Sequence, residues 1–248
     1  MWDDAKQLNA IALTLTLIVG ALLLWGALAW AARQPAFELR EVVIRGPLEH
    51  VNTTYLETVV RDELAGTFFT MNLDSARASL AKVPWVRSIA LRRQWPQRLE
   101  VTIEEHVPFA RWNDAALVDT FGDVFVAEYA GDLPQFSAPD GRAAEVARRY
   151  RESSEVLAPL ALTVESVRLS PRGGWRVTAK GDRGSIAIEL GREDPVARLT
   201  RFVAVYERTI GALARAGTRI DHVDLRYRNG FAARVPGFRE RAQKKAAA

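Results

Sequence analysis

The sequence predicts an α+β protein: a single N-terminal transmembrane helix, a β-α-α-β-β domain, and a mostly antiparallel β domain with flanking helices. Three observations carry this. The run Ala10–Ala32 contains no charged residue. Farther on, Leu99, Val101 and Ile103 alternate with polar and charged residues, after two stretches of helical spacing. Beyond Val107, short apolar segments recur between turn-forming residues.

As a helix, residues 10–32 would span roughly 35 Å, enough to cross a hydrocarbon core of about 30 Å. Lys6 and Arg33 bound the run, and Trp30 fits the aromatic belt at a membrane interface. A cleaved signal peptide is the competing reading, with small residues around Ala27, Ala29 and Ala31 as the cleavage site. Its apolar region would usually be only about 7–15 residues long. Its positive start is also weak here, because Asp3 and Asp4 offset Lys6. A retained anchor is therefore favoured, with residues 1–9 as a short tail. Charge leaves the orientation open: Lys6 lies on one flank, Arg33, Arg40 and Arg45 on the other, and long domains translocate largely regardless of charge.

Composition narrows the function classes. An apolar share of 48% with 26% charged residues is that of a globular chain able to bury a core. The absence of cysteine excludes disulfides, thiolate metal sites and a cysteine nucleophile. The net charge of +4 is spread along the chain, which fits a solvated surface and no nucleic-acid partner.

Residues 37–106 read as one small domain. A strand from Leu39 to Ile44 is closed by Gly46-Pro47. Asn52 or Thr53 caps a helix with Leu56, Val59 and Val60 on one face, and Gly66 ends it. Asn72 caps a second helix carrying Leu73, Ala76, Leu80 and Val83, and Pro84 stops it. Val86–Arg92 and the strand around Leu99–Ile103 form a hairpin with Trp95-Pro96 at its turn. Trp85 is expected in the core. Trp95, between Arg93 and Arg98 at the hairpin tip, is expected to face a partner or the neighbouring domain.

Residues 107–237 read as a β-meander interrupted by helices. Strands are expected at Phe109–Trp112, Ala116–Val118, Val124–Val126, Val164–Leu169, Trp175–Thr178 and Ile186–Leu190. Arg172-Gly173-Gly174 and Asp182-Arg183-Gly184 supply turns. One helix covers Ala143–Leu157. Another starts at a capping Asp194 with Pro195 in its first turn, and carries Leu199, Phe202, Val203, Tyr206, Ile210 and Leu213 on one face. Val223, Leu225 and Tyr227 alternate with Asp224, Arg226 and Arg228, and Asn229-Gly230 predicts a type I′ turn. Phe231, Ala233 and Val235 form the return strand, which Pro236-Gly237 stops. Residues 238–248 are expected to be disordered.

No catalytic set emerges. His50, His106 and His222 lie in different elements without metal-ligand spacing, and phosphate loops, nucleophile elbows and zinc-protease motifs are all missing. Glu104 and Glu105 point to opposite faces of a strand, so they read as a solvated strand end. Catalytic residues, metals and cofactors are therefore expected to be none. The last strand is a candidate interaction feature: a free edge invites strand addition, whereas Arg234 and Pro236 could merely blunt it.

Specific segments resemble a known family. Residues 83–101 (VPWVRSIALRRQWPQRLEV) and Val107–Asn113 (VPFARWN) are similar to the POTRA (polypeptide-transport-associated) domain and domain junction of the FtsQ/DivIB cell-division family. Leu190-Gly191-Arg192, Arg201–Tyr206 and Val223–Gly230 resemble motifs of that family's C-terminal β domain, in the same order. The resemblance implies a non-enzymatic scaffold of the septal machinery. It implies a single-pass inner-membrane protein with a cytoplasmic N-terminus and periplasmic domains, concentrated at the septum. It also implies FtsB and FtsL as partners, with other divisome membrane proteins reached through the POTRA domain and the transmembrane helix. Arg192, Arg226, Tyr227, Asn229 and Gly230 match family positions at the FtsB-binding surface, and Phe231, Ala233 and Val235 would form the edge that FtsB extends. The POTRA order alone also occurs in outer-membrane assembly factors, but those carry POTRA repeats and a barrel, which this sequence lacks. A membrane-anchored cell-wall enzyme is suggested by location only.

Overall fold

A computed structural model describes residues 5–51, 54, 56, 58, 60, 67–182, 184–215 and 218–236. The chain divides into two compact units, Met1–His106 and Val107–Ala248. Several sequence-level expectations fall outside the described residues: the caps at Asn52 or Thr53, Val59, Gly66, Arg183, the stop at Gly237 and the tail to Ala248.

Helix α1 (Ala5–Ala32) opens the first unit. Its segment Gln7–Ala32 is long and apolar enough to cross a membrane. Thr14 and Thr16 donate their hydroxyls to the Ala10 and Ala12 carbonyls at 2.8 Å, so these polar groups need no water. A 3-10 turn at Pro35–Phe37 ends the exit from this helix.

Strands β1 (Glu41–Arg45), β2 (Val86–Gln94) and β3 (Arg98–Glu105) form a sheet in the order β1-β3-β2. β1 runs parallel and β2 antiparallel to β3. The period of two in β3 buries Leu99, Val101 and Ile103 on one face. Helical residues of α2 are described at 54, 56, 58 and 60, and helix α3 (Leu73–Leu80) packs against β2. Leu56, Val60, Ala76 and Leu80 are their buried residues. Asn72 caps α3 as its sequence predicts, accepting from the Asp74 and Ser75 amides at 3.0 and 3.1 Å. Gly46 has φ +138°, and a Cβ there would lie 2.1 Å from the Ile103 carbonyl oxygen, so the close of β1 requires glycine.

The strand end at Glu104-Glu105 differs from expectation. Glu104 is exposed and pairs with Arg87 at 2.8 Å, but Glu105 is buried. Its carboxylate accepts the backbone amides of Glu49, His50 and Val51, the last at 2.9 Å. His50 adds an Nδ1 contact at 3.4 Å and stacks on buried Trp85 at 4.0 Å. Three consecutive amides from a distant loop cannot be read from a strand's local alternation.

The second unit holds β4 (Pro108–Trp112), β5 (Ala116–Asp119), β6 (Val124–Phe125), β7 (Gln135–Ser137), β8 (Thr163–Leu169), β9 (Trp175–Gly181), β10 (Gly184–Gly191), β11 (His222–Asp224) and β12 (Ala232–Arg234). They form one sheet in the order β12-β11-β10-β9-β8-β7-β4-β5-β6. The meander expectation holds for β4-β5-β6 and for β8-β9-β10. Elsewhere β4·β7, β7·β8 and β10·β11 pair in parallel. β7 is too short to show a period, yet Phe136 at its centre is fully buried.

Helices α4 (Ala143–Leu157), α5 (Pro195–Tyr206) and α6 (Ile210–Arg215) flank the sheet. Val146, Leu157, Leu199, Phe202 and Tyr206 join Val167, Val177 and Ile188 in one core. Two expectations are corrected here. The helix from Asp194 breaks after Tyr206, where Gly211 packs against the Tyr206 carbonyl, and Leu213 is exposed. Asp194 precedes that helix in a left-handed conformation (φ +45°), and its side chain makes no cap bond.

Burial raises the pKa of Glu105, but the Val51, Glu49 and His50 amides and the His50 ring outweigh it and hold the carboxyl below its ordinary value. A carboxylate depressed in the folded state stabilises that state above its unfolded pKa. The contribution disappears as pH falls through the folded value. Glu105→Gln should therefore destabilise the first unit at neutral pH by about 1–3 kcal/mol. It should also reduce the loss of stability between neutral and acidic pH. Denaturant melts of the detergent-solubilised chain at both conditions read the two effects.

Candidate partner-binding edge

β12 is the terminal strand of the large sheet. It pairs antiparallel with β11 through His222↔Arg234, Val223↔Ala233 and Asp224↔Ala232. On its other side β11 pairs parallel with β10.

This arrangement corrects the predicted hairpin. Residues 225–231 link the strands, and neither Asn229 nor Gly230 has the positive φ of a type I′ turn. Asp224 supplies the reason. Its Oδ1 accepts the Arg226 amide at 3.0 Å, forming a local turn that ends β11. The Arg226 guanidinium grips the same carboxylate, with Nη2 to Oδ2 at 2.7 Å and Nε to Oδ1 at 2.9 Å. The Leu225 amide still reaches the Glu189 carbonyl at 2.8 Å, and after it the chain leaves the sheet.

The ladder also sets which backbone groups of β12 remain available. Ala187 donates its amide to the Asp221 carbonyl, and Leu225 donates to Glu189, so odd-numbered residues of β11 face β10. Main-chain groups alternate along a strand, so His222 and Asp224 face β12 and engage Arg234 and Ala232. The amide and carbonyl of Ala233 then point away from the sheet, and by the same alternation those of Phe231 and Val235 flank them.

Side chains anchor this short edge. Arg234 holds Asp221 through two bonds of 2.9 and 3.0 Å. The Phe231 ring packs edge-on against Phe202 at 5.5 Å, and Val235 is half-buried against the same core. Ala233 is exposed.

The remaining sequence-predicted residues line two depressions that share Arg198. One contains Arg192 and Arg226 beside Arg172, Arg176 and Glu189. The other contains Tyr227, Asn229, Gly230 and Phe231 beside Arg201 and Phe202. Tyr227 is 58% exposed although it sits above an apolar floor. Arg192 is exposed and has no ion pair among the described residues.

Sequence reasoning missed Arg198 and the part played by Gly191. Arg198 donates to the Leu190 carbonyl at 2.8 Å. Gly191 has φ +77°, and a Cβ there would lie 2.5 Å from Arg198 Nη1 and 3.2 Å from Arg226 Cγ. The glycine of the Leu190-Gly191-Arg192 motif thus lets two arginines close over the turn. Among the described residues, no three His, Asp or Glu side chains converge on a possible metal position.

Comparison with known proteins matches this architecture. The family model for the POTRA domain, FtsQ-type, covers residues 37–106. That for the C-terminal region of cell division protein FtsQ/DivIB covers residues 110–226. The cell division protein FtsQ of Burkholderia pseudomallei is 40% identical over 246 residues, covering 96% of each chain. That of Nitrosospira multiformis is 39% identical, over 94% of this chain and 99% of its own. The Escherichia coli protein is 31% identical, over 93% and 85%. The chain belongs to the FtsQ/DivIB cell-division family.

As an FtsQ/DivIB protein it is a component of the cell-division machinery, built from an FtsQ-type POTRA domain and a sheet-rich C-terminal domain behind an apolar N-terminal helix. Within that C-terminal domain Asp224 is the residue to test. Arg226 holds its carboxyl below the ordinary carboxylate value, chiefly by hydrogen bonding and against the opposing effect of burial. The pair therefore stabilises the fold above the unfolded carboxyl pKa and is lost as pH falls through the folded one. Asp224→Ala should destabilise the C-terminal unit by about 1–3 kcal/mol at neutral pH and flatten its acid dependence. Arg226→Glu should also destabilise, because it places a second carboxylate against nearly buried Asp224. Denaturant melts across the pH range check both.

Proposed function

We propose that this protein is a non-enzymatic, membrane-anchored scaffold of the divisome that binds FtsB, with FtsL, by adding a strand of FtsB to the free edge of β12. In this reading residues 1–9 form a cytoplasmic tail and residues 10–32 cross the inner membrane. The POTRA domain (37–106) and the β domain (107–237) lie in the periplasm at the septum, with residues 238–248 trailing. The scaffold links early to late septation proteins, and other divisome membrane proteins meet its POTRA domain and helix.

One observation carries the proposal: the main-chain groups of Ala233 face outward on the edge strand, flanked by Phe231 and Val235, next to depressions containing the other family-matched residues. Backbone pairing supplies affinity and is indifferent to sequence. Identity comes from side chains. Acidic groups on the partner meet Arg192 and the exposed side of Arg226, while an apolar group packs between Tyr227 and Phe231. Asn229 and Gly230 form the exposed rim of the same depression.

Proline at position 233 tests this directly. It removes a donor that faces away from β11, so the existing ladder is kept. Ala233→Pro should leave the melting transition of the C-terminal unit in place and weaken binding of the extracytoplasmic part of FtsB about tenfold or more. Titration of the detergent-solubilised chain measures this. A folded Ala233→Pro chain with parental affinity would place the partner site elsewhere.

A further inference from the structure

Two exposed large apolar side chains of the POTRA unit have neighbours that bond to the segment that leaves α1. Among its described residues outside α1, Phe69 and Trp95 are the large apolar side chains that stay mostly exposed, at 52% and 79%. They come from separate elements, the turn before α3 and the tip of the β2–β3 hairpin. Both are tied to the segment that leaves α1.

The ties are specific. Gln97, two residues beyond Trp95, donates its side-chain amide to the Ala36 carbonyl. Its own carbonyl accepts the Arg40 amide at 3.0 Å. Phe68 donates its amide to the Phe37 carbonyl at 2.7 Å, and the Phe69 ring meets the Phe37 ring edge-on at 5.2 Å. Thr67 donates its hydroxyl to the carbonyl of Ala32, the last residue of α1, at 2.6 Å.

Chain length then limits how far these rings lie from the end of the helix. Ala36 is four residues beyond Ala32, at most about 14 Å even if fully extended. The 3-10 turn at Pro35–Phe37 shortens that reach. The polar layer of a bilayer adds roughly 5–7 Å on each side of its hydrocarbon core. A hairpin tip bonded to Ala36 is therefore held within reach of that layer, on the side where α1 emerges.

The chemistry fits phospholipid headgroups. Tryptophan is enriched at that depth because its ring is apolar and its N–H is polar. Arg33 and Arg40 lie on the exit segment and make no ion pair among the described residues. Arg98, beyond Trp95 in sequence, is ion-paired with Glu41 at 2.8 Å, and Arg93 donates to the Met71 carbonyl, so the cations of this region that bear on a headgroup are Arg33 and Arg40. Cations there attract phosphate and anionic lipid. A protein partner could also cover an aromatic pair, but the bilayer is the surface that the chain itself holds within reach.

We propose that Trp95 and Phe69 dock the POTRA unit onto the headgroup layer of the membrane that α1 enters, giving the unit a second bilayer contact beyond its helix. The proposal rests on α1 being a membrane span, and its test separates the two. The full chain is labelled with fluorotryptophan and placed in phosphatidylcholine–phosphatidylglycerol nanodiscs. Fluorine resonances of Trp30, Trp95 and Trp175 are assigned by their loss on Trp→Phe substitution. With nitroxide carried on the lipid headgroups, Trp95 should lose intensity together with Trp30, while Trp175, buried in the second unit, keeps its own. Trp95 keeping its intensity while Trp30 loses it overturns the docking. Trp30 and Trp95 both keeping theirs overturns the membrane span and the docking with it. A water-soluble gadolinium chelate gives an independent check: a Trp95 shielded from the chelate yet silent to the lipid nitroxide is covered by protein, which also overturns the proposal.

Discussion

The carboxylate of Asp224 governs the end of the large sheet. It accepts the amide of Arg226 and both arms of its guanidinium, and so ends β11 after three paired residues. The strand that returns must then pair with His222 and Asp224, the residues whose main-chain groups are not already used by β10. That choice directs the groups of Ala233 outward. The same carboxylate holds Arg226 beside Gly191 and Arg198, where the charged depression begins. The end of β11 and the local charge therefore share one origin, a buried acid with a fixed cationic partner, while the β10 ladder sets which groups of β12 face outward.

Much of the fold was legible because its determinants are local. The alternation in β3 and the cap at Asn72 each depend on a few neighbouring residues, and both appear in the structure. What escaped depends on residues far apart in sequence. β7 is recognisable as a strand only because β4 and β8 receive it, and Glu105 is buried only because the loop at residues 49–51 turns its amides toward it. Asn229-Gly230 is the instructive failure. The pair favours a two-residue turn in isolation, but Asp224 diverts the chain three residues after β11 begins, and the turn signal ends up in an open loop.

At the candidate edge, the sequence marked individual residues without their grouping. Arg192 and Arg226 are distant in sequence and meet in one depression because β10 and β11 are parallel neighbours. Arg198 lacked any local signal, since its importance comes from the Leu190 carbonyl and from the space that Gly191 leaves open. The alternation Phe231, Ala233, Val235 did mark a strand. Which of its main-chain groups are free follows only from the ladder with β11, because alternation of side chains says nothing about the side on which a neighbour pairs.

The orientation of these main-chain groups is the central claim, and amide hydrogen exchange in the C-terminal unit measures it residue by residue. In the free protein the amides of Ala232 and Arg234 should be protected, while that of Ala233 exchanges freely. On adding FtsB, the Ala233 amide should become protected, with little change at its two neighbours. Protection of Ala233 in the free protein, or an Ala233 amide that stays exposed in the complex, would contradict the account.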